Sequence, residues 1–111
     1  MKDDRIYIEH ILHSIERIDK YIAGKNHKSF ISDFITQDAV VRQLEIIGEA
    51  TKRVSDDLRK SNPQVPWSDM SGMRDILIHD YIDVDIDIVW KTATESIRTL
   101  KKLLDNLVWP K

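Results

Sequence analysis

Residues 8–22 read IEHILHSIERIDKYI, and the spacing of their apolar side chains indicates the fold class. Apolar residues recur every three or four positions, which is the period of an α-helix that buries one face. Asp3 or Asp4 suits the beginning of this helix, and Gly24 suits the position just after its end. The stripe consists of Ile8, Ile11, Leu12, Ile15, Ile18 and Ile22.

Three more apolar stripes follow, and no strand pattern persists. The second ends where Pro63 and Pro66 interrupt the chain, since proline cannot continue a helix. We expect Ser68 to cap the third helix, which passes through Met70, Met73 and Leu77. The second stripe consists of Val40, Leu44, Ile47, Thr51, Val54 and Leu58. The fourth consists of Ile86, Trp90, Ala93, Ile97, Leu100, Leu104 and Leu107.

The connections between these stripes are short. Ser29 is expected to cap a small segment in which Phe30 and Phe34 pack inward, and Asp83 or Asp85 to cap the fourth helix. Short links between amphipathic helices predict an all-α, up-and-down bundle of four to five helices. The fourth stripe has two interpretations: it closes the core of one chain, or part of it faces a second copy.

Length, charge and composition narrow the class of protein. The chain has 111 residues, no cysteine and a formal net charge of −2. This length fits one domain, residues 1–111, and the lack of cysteine excludes disulfides and a thiol nucleophile. No apolar run resembles a signal peptide or membrane span, so we expect a cytoplasmic protein without membrane contact. The charge excludes a broad basic surface, so any RNA contact must be local.

Residues 73–81, MRDILIHDY, carry the residue types that suit chemistry at a phosphate. Arg74 and His79 are five positions apart, which separates them by about 140° on a helix. Arginine binds phosphate oxygens in a bidentate way, and histidine exchanges protons near neutral pH. The spacing alone also fits a helix-end histidine near the dipole, an exposed arginine and a half-buried Tyr81.

The surroundings of this motif carry a family resemblance. The motif is Arg-x4-His-x-Tyr, and it lies between the segments DAVVRQLEIIGEA (38–50), VPWSDMSGM (65–73) and YIDVDIDIVW (81–90). In this order, over nearly the whole chain, the segments resemble the HepT-like branch of the HEPN superfamily. Members of that branch are partners of minimal nucleotidyltransferases in prokaryotic toxin–antitoxin pairs.

The resemblance implies both an activity and its regulation. It implies a two-fold, all-α homodimer acting as a metal-independent endoribonuclease, the toxin of a type VII pair. Arg74 and His79 would be catalytic, with Asp75 and Tyr81 in support. The partner nucleotidyltransferase would neutralise the toxin by adding AMP to Tyr81. A rival interpretation from another class is a non-catalytic module that binds a nucleotide or presents Tyr81 to the transferase.

Chemically, His79 would act as general base or acid, and Arg74 would stabilise charge on the phosphoryl oxygens. Asp75 has two interpretations, one in which it orients Arg74 and one in which it is an exposed carboxylate. Tyr81 is suited to stacking on a base or binding phosphate.

A second candidate set lies upstream. Arg42, Glu45 and Glu49 form a charged stripe that either lines the cleft or is an exposed helix face. Gly48, on the same helix, suggests close packing against another backbone.

Two acidic or histidine patterns suggest metals, but neither is complete. His10 and His13 are three residues apart and lack a suitable third ligand. Asp83, Asp85 and Asp87 alternate as in a calcium loop but lack its turn glycine and closing glutamate. We therefore expect exposed histidines, helix-capping aspartates, no metal site and no cofactor.

Overall fold

The computed structural model describes the backbone of residues 3–79 and 85–110, and the side chains of residues 3–73 and 85–110. These ranges contain helices and no strand. No helix in them is long and apolar enough to cross a membrane. The helices are α1 (Asp4–Ile22), α2 (His27–Ile31), α3 (Phe34–Lys52), α4 (Asp56–Ser61), α5 (Trp67–His79), α6 (Ile86–Lys91) and α7 (Ile97–Asp105).

Helix α1 begins and ends as its sequence predicts. The Asp3 side chain accepts a hydrogen bond from the backbone N–H of Arg5 (2.9 Å), which satisfies one free donor of the first turn. Gly24 follows the end of the helix with a φ of +76°, a conformation that glycine adopts without a steric penalty. The isoleucines of the stripe are buried, and Leu12 is partly buried.

The segment between α1 and α3 differs from the prediction. Asn26, not Ser29, caps α2, and the two form a reciprocal capping box in which Ser29 is the third helical residue. Phe30 is fully buried, as predicted, whereas Phe34 is 72% exposed. The prediction for Phe34 is wrong because Asp33 caps a new helix at this point, accepting from the Thr36 N–H (3.0 Å).

The second stripe is divided between two helices. Helix α3 ends at Lys52, and Ser55 caps α4. The guanidinium of Arg59 donates to the carbonyl oxygens of Thr51 (2.6 Å), in the last turn of α3, and of Val54 (3.3 Å), just after it, so both carbonyls have a side-chain donor. The apolar stripe stays in phase across the break, since Val54 and Leu58 are both buried.

Helix α5 begins two residues earlier than a cap at Ser68 would predict. Trp67 is its first residue, so Ser68 lies within the first turn and is not the cap. Pro66, which has no N–H to leave unpaired, precedes the helix, and its carbonyl oxygen accepts from the Met70 N–H (3.0 Å). The Trp67 indole N–H donates to the carbonyl oxygen of Asn62 (3.0 Å).

Helix α6, which carries the beginning of the fourth stripe, is capped by Asp85, whose side chain accepts from the Asp87 and Ile88 N–H groups. A π-helical turn, Thr92–Ser96, joins α6 to α7 without a break. Hydroxyls bond back to carbonyls one turn earlier at this point, including that of Thr94 to Trp90 (2.8 Å), a contact that often accompanies helix distortion.

The helices surround one hydrophobic core. Helix α3 packs against both α1 and α5, and α7 packs against α1. The fourth stripe contributes Ala93, Ile97, Leu100 and Leu104 to this core, so it closes the chain's own interior. The predicted all-α bundle is confirmed, and its pairing into a dimer stays a prediction.

Candidate functional site

Helix α5 carries three of the four motif residues on its backbone. Trp67 and Met70, in its first turns, are buried, and the helix packs against α3. Position 74 follows Trp67 by seven residues and so lies within about 20° of the same angle around the helix. Position 79 is the last residue of α5 and lies about 140° away from position 74.

The functional groups of the motif lie outside the described residues. This applies to the side chains of Arg74, Asp75 and His79, and to the whole of Tyr81. Their predicted roles in catalysis and modification therefore stay predictions.

The second candidate set lies in a groove between α1 and α3. Arg42, Glu45 and Glu49 line this groove, which has a volume of about 560 Å³, and Tyr7 and His10 of α1 form its other side. Glu49 also forms an ion pair with Arg53 one turn later, at 3.7 Å. The three predicted residues thus share one concave surface, and their part in a cleavage cleft stays a prediction.

A smaller groove of about 160 Å³ continues along the same two helices. It shares His10 and Ile46 with the first groove, and its other lining residues include His13, Arg17 and Gln43. His10 and His13 are both exposed, as predicted. In the part of the chain that the structure describes, no three histidine, cysteine or acidic side chains are grouped so that they could hold a metal ion.

The sequence of α1 contains a second periodic pattern, formed by polar residues, that predicts this surface and is less evident than the apolar stripe. Tyr7, His10, Ser14 and Arg17 repeat every three or four residues, so they share a second face of α1. Gln43 gave no signal of its own, because a single glutamine among apolar residues does not indicate a site.

A different groove, largely apolar, lies beside α5. It has a volume of about 400 Å³ and lies between α5 and α7, where Met70 and Met73 face Leu100 and Leu103. Met73 directly precedes the motif arginine, so this groove adjoins the helix that carries the predicted catalytic residues.

Comparisons with known proteins agree with the sequence resemblance. The family model "Ribonuclease HepT-like" matches residues 11–107. A probable ribonuclease HepT of Thermococcus cleftensis is 43% identical over 101 residues, covering 91% of this chain and 92% of that protein. A putative RNase of Caldanaerobacter subterraneus subsp. tengcongensis is 39% identical over 108 residues, covering 97% of this chain and 96% of that protein.

A third relative is larger. A Methanocaldococcus jannaschii protein described as a gamma-glutamylcyclotransferase and putative RNase is 42% identical over 101 residues, which are 91% of this chain but 46% of that protein. No solved structure gives a significant match. The family model covers most of the chain and two relatives match over nearly their full lengths, so the chain belongs to the HepT-like ribonuclease family of the HEPN superfamily.

Proposed function

We propose that this protein is a metal-independent endoribonuclease in which Arg74 and His79 carry out the cleavage. The observation that carries the proposal is the family match over residues 11–107, which includes the whole Arg-x4-His-x-Tyr motif. The names of the relatives, a probable ribonuclease and putative RNases, support RNA as the substrate.

The reaction needs no metal if the RNA supplies its own nucleophile. The ribose 2′-hydroxyl attacks the adjacent phosphorus, the bond from phosphorus to the 5′ oxygen breaks, and a 2′,3′-cyclic phosphate forms. His79 acts as general base or acid, taking the proton from the 2′ oxygen or giving one to the leaving 5′ oxygen. Arg74 stabilises the negative charge on the phosphoryl oxygens, and Asp75 orients Arg74.

Regulation is proposed to act at Tyr81. The chain is the toxin of a toxin–antitoxin pair, and a minimal nucleotidyltransferase encoded with it transfers AMP to the Tyr81 hydroxyl. The adduct adds a negative charge where RNA phosphates must approach, and its adenosine occupies the space that a nucleotide needs.

The net charge of −2 favours one alternative. In that alternative the chain cleaves nothing and is a helical module that binds a nucleotide or presents Tyr81 to the transferase. A homodimer would reconcile this net charge with RNA binding, because two Arg74–His79 pairs around one cleft double the local positive charge.

The test is incubation of purified protein with RNA in excess EDTA. We expect the parent protein to cleave the RNA and the His79→Ala and Arg74→Ala variants to lose the activity, with unchanged helical circular dichroism. His27→Ala is the matched control, since it removes an exposed imidazole from α2. An undiminished rate in His79→Ala would contradict the catalytic assignment, and an inactive parent protein that still binds its transferase would favour the non-catalytic module.

A further inference from the structure

The two grooves between α1 and α3 share His10 and Ile46 and form a continuous surface, which we call the α1–α3 groove, and most of the residues that line it are charged or polar. It is lined at one end by Tyr7 and Arg53 and at the other by Arg17, and His10 belongs to both of its parts. Tyr7 and Arg17 are ten residues apart on α1, so the groove is about 15 Å long. A groove of that length is longer than a single bound ion would occupy.

The charge of this groove is opposite to that of the chain. Three arginines and two glutamates line it, whereas the chain carries a net charge of −2. Arg53 is paired with Glu49 (3.7 Å), but neither Arg17 nor Arg42 forms an ion pair or hydrogen bond with a described residue. Two guanidinium groups are therefore available to bind an anion in the bidentate way that suits phosphate.

A buried amide provides a second, independent indication of a ligand. Gln43 lines the groove and is only 5% exposed, and its Oε1 atom accepts no hydrogen bond from the described residues. An unpaired buried acceptor is costly, so a partner that donates a hydrogen bond to it would be favoured. The combination of anion-binding arginines and a buried acceptor selects for a ligand that carries both phosphates and hydroxyl donors.

The aromatic side chains of the groove fit the same ligand. The rings of Tyr7 and His10 meet edge to face, with centroids 6.5 Å apart. Such rings offer stacking surfaces for unpaired bases. Ile46 and Ala50 are the aliphatic residues of the lining that lie in the described part of the chain, so the groove lacks the large apolar centre expected of a protein interface.

We propose that the α1–α3 groove binds a segment of single-stranded RNA, in addition to any contact that the strand makes with Arg74 and His79. Arg17 and Arg42 bind backbone phosphates, and a base stacks on the rings of Tyr7 and His10. The Gln43 side chain turns so that its buried Oε1 atom becomes accessible and accepts a hydrogen bond from a ribose 2′-hydroxyl. This inference rests on the proposed ribonuclease function, because it assumes that RNA is the substrate. It adds a site that holds the strand without cutting it.

The test measures binding directly, so that it does not depend on cleavage. A labelled single-stranded oligouridine of about a dozen nucleotides is titrated with the full-length His79→Ala protein in EDTA, and fluorescence anisotropy gives the Kd. Adding Arg17→Ala and Arg42→Ala together should weaken binding about tenfold. The slope of log K against log salt should become shallower by about 1.4, because each phosphate contact on a single strand contributes about 0.7.

A matched control removes the same charge elsewhere. Lys28 and Lys60 are exposed and lie outside the groove, so Lys28→Ala with Lys60→Ala should leave both the Kd and the salt slope close to those of the His79→Ala protein. If the control pair weakens binding as much as the arginine pair, the attraction is general electrostatics and the groove assignment is overturned.

Gln43→Leu gives a readout that charge does not affect. The substitution replaces the amide by an apolar side chain of similar size. It removes no charge, so the salt slope should stay the same. The preference for RNA over DNA of the same sequence should fall about two- to tenfold, the effect of one hydrogen bond. The free energy of unfolding should not decrease, since an unsatisfied buried acceptor is lost.

Each contrary outcome overturns the inference in a recognisable way. Unchanged RNA affinity in the arginine pair overturns it, and if the same pair instead loses binding to the nucleotidyltransferase, the groove is a protein-docking surface. A parent protein that binds oligouridine through the groove but does not cleave RNA would contradict the proposed catalysis and leave this site intact.

Discussion

Tyr81 is the residue at which we expect the protein to be switched off. Co-expression with the proposed partner, a minimal nucleotidyltransferase, should increase the intact mass by one or more AMP units, about 329 Da each. The Tyr81→Phe variant should show no increase, because it lacks the phenolic oxygen that accepts the AMP. Intact-protein mass spectrometry measures both. Tyr21→Phe is the control, since it removes a partly buried phenol of α1.

An adduct that persists in Tyr81→Phe would place the switch at another residue. The alternative role for the Tyr81 hydroxyl, a hydrogen bond at the helix end, predicts no mass change in either protein.

Asn62 is the buried polar residue on which the α4–α5 connection depends. Its side chain is fully buried, donates to the carbonyl oxygens of Leu58 (3.0 Å) and Val108 (2.7 Å), and accepts from the Val108 N–H (2.7 Å). We expect Asn62→Ala to lower the free energy of unfolding by about 2–3 kcal/mol, because it leaves buried backbone groups unpaired. Urea denaturation measures this loss.

The control for Asn62 is Asn106, an exposed asparagine whose side chain makes fewer hydrogen bonds. Asn106 donates to Lys102 (2.8 Å) on the exposed end of α7, so Asn106→Ala should cost much less. Equal losses in the two variants would show that the buried network of Asn62 contributes nothing special.

The stability of the beginning of α3 should respond to pH through Asp33. A hydrogen bond from Lys25 (2.6 Å) holds the pKa of Asp33 well below its ordinary value of 3.8, and the Thr36 N–H and hydroxyl lower it further. The folded-state pKa is depressed, so this contribution to stability is present above the unfolded-state pKa. It is lost as the pH falls from there towards the folded-state pKa.

Asp33→Asn isolates this effect, because asparagine still caps a helix but cannot pair with Lys25. The variant should be less stable than the parent above about pH 5, and the difference should narrow as the pH falls below about 4. Thermal unfolding across this range measures it. Asp38→Asn, at an exposed position of the same helix, should show a smaller difference at neutral pH. A difference between parent and Asp33→Asn that does not depend on pH would contradict the role of the ion pair.

Apolar periodicity predicted the long helices correctly. It failed at helix ends, where local hydrogen bonds determine which residue begins or ends a helix. The break after Lys52 was hidden because Val54 and Leu58 stay in phase with the stripe of α3. The prediction of Ser29 as the cap of α2 is wrong: Asn26 and Ser29 are both residue types that cap helices, and only the geometry of the capping box identifies Asn26 as the cap. The π-helical turn leaves no trace in a pattern that repeats every three or four residues.

The two candidate sites differed in how far the sequence could reveal them. The Arg-x4-His-x-Tyr motif lies within residues 73–81 of the sequence, so its spacing is evident without a structure. The α1–α3 groove brings Tyr7 and Gln43 to one surface although they are far apart in sequence, and only the packing of α1 on α3 shows this. Of the residues that line this groove, the charged stripe of Arg42, Glu45 and Glu49 is the part that could be predicted from the sequence.

We expect the protein to form a two-fold homodimer in which the two motif helices face each other. The principal extents are 47 × 28 × 21 Å, an elongated shape with a long side available for pairing. The apolar groove between α5 and α7 lies beside the motif helix and offers such a surface. Light scattering at micromolar concentration should give twice the chain mass of 13.0 kDa.

A charge placed in the apolar groove should separate the two copies. Leu103 is half-buried and lines the groove, so Leu103→Glu should give a mass near 13.0 kDa and a lower cleavage rate. Lys102→Glu, at the exposed neighbouring position, should remain dimeric. A parent protein that is monomeric and fully active would rule out the dimer as a requirement for the site.

We propose that the protein cuts RNA by attack of the 2′-hydroxyl, with His79 transferring the proton and no metal taking part. The most direct measurement is mass spectrometry of the products that form when the parent and His79→Ala proteins act on a defined oligoribonucleotide in EDTA. The mechanism predicts 2′,3′-cyclic phosphate ends, or their hydrolysed form, from the parent protein alone, and no cleavage of the matching oligodeoxynucleotide. Cleavage of the DNA strand, products that never carry a cyclic phosphate, or equal product from His79→Ala would contradict it.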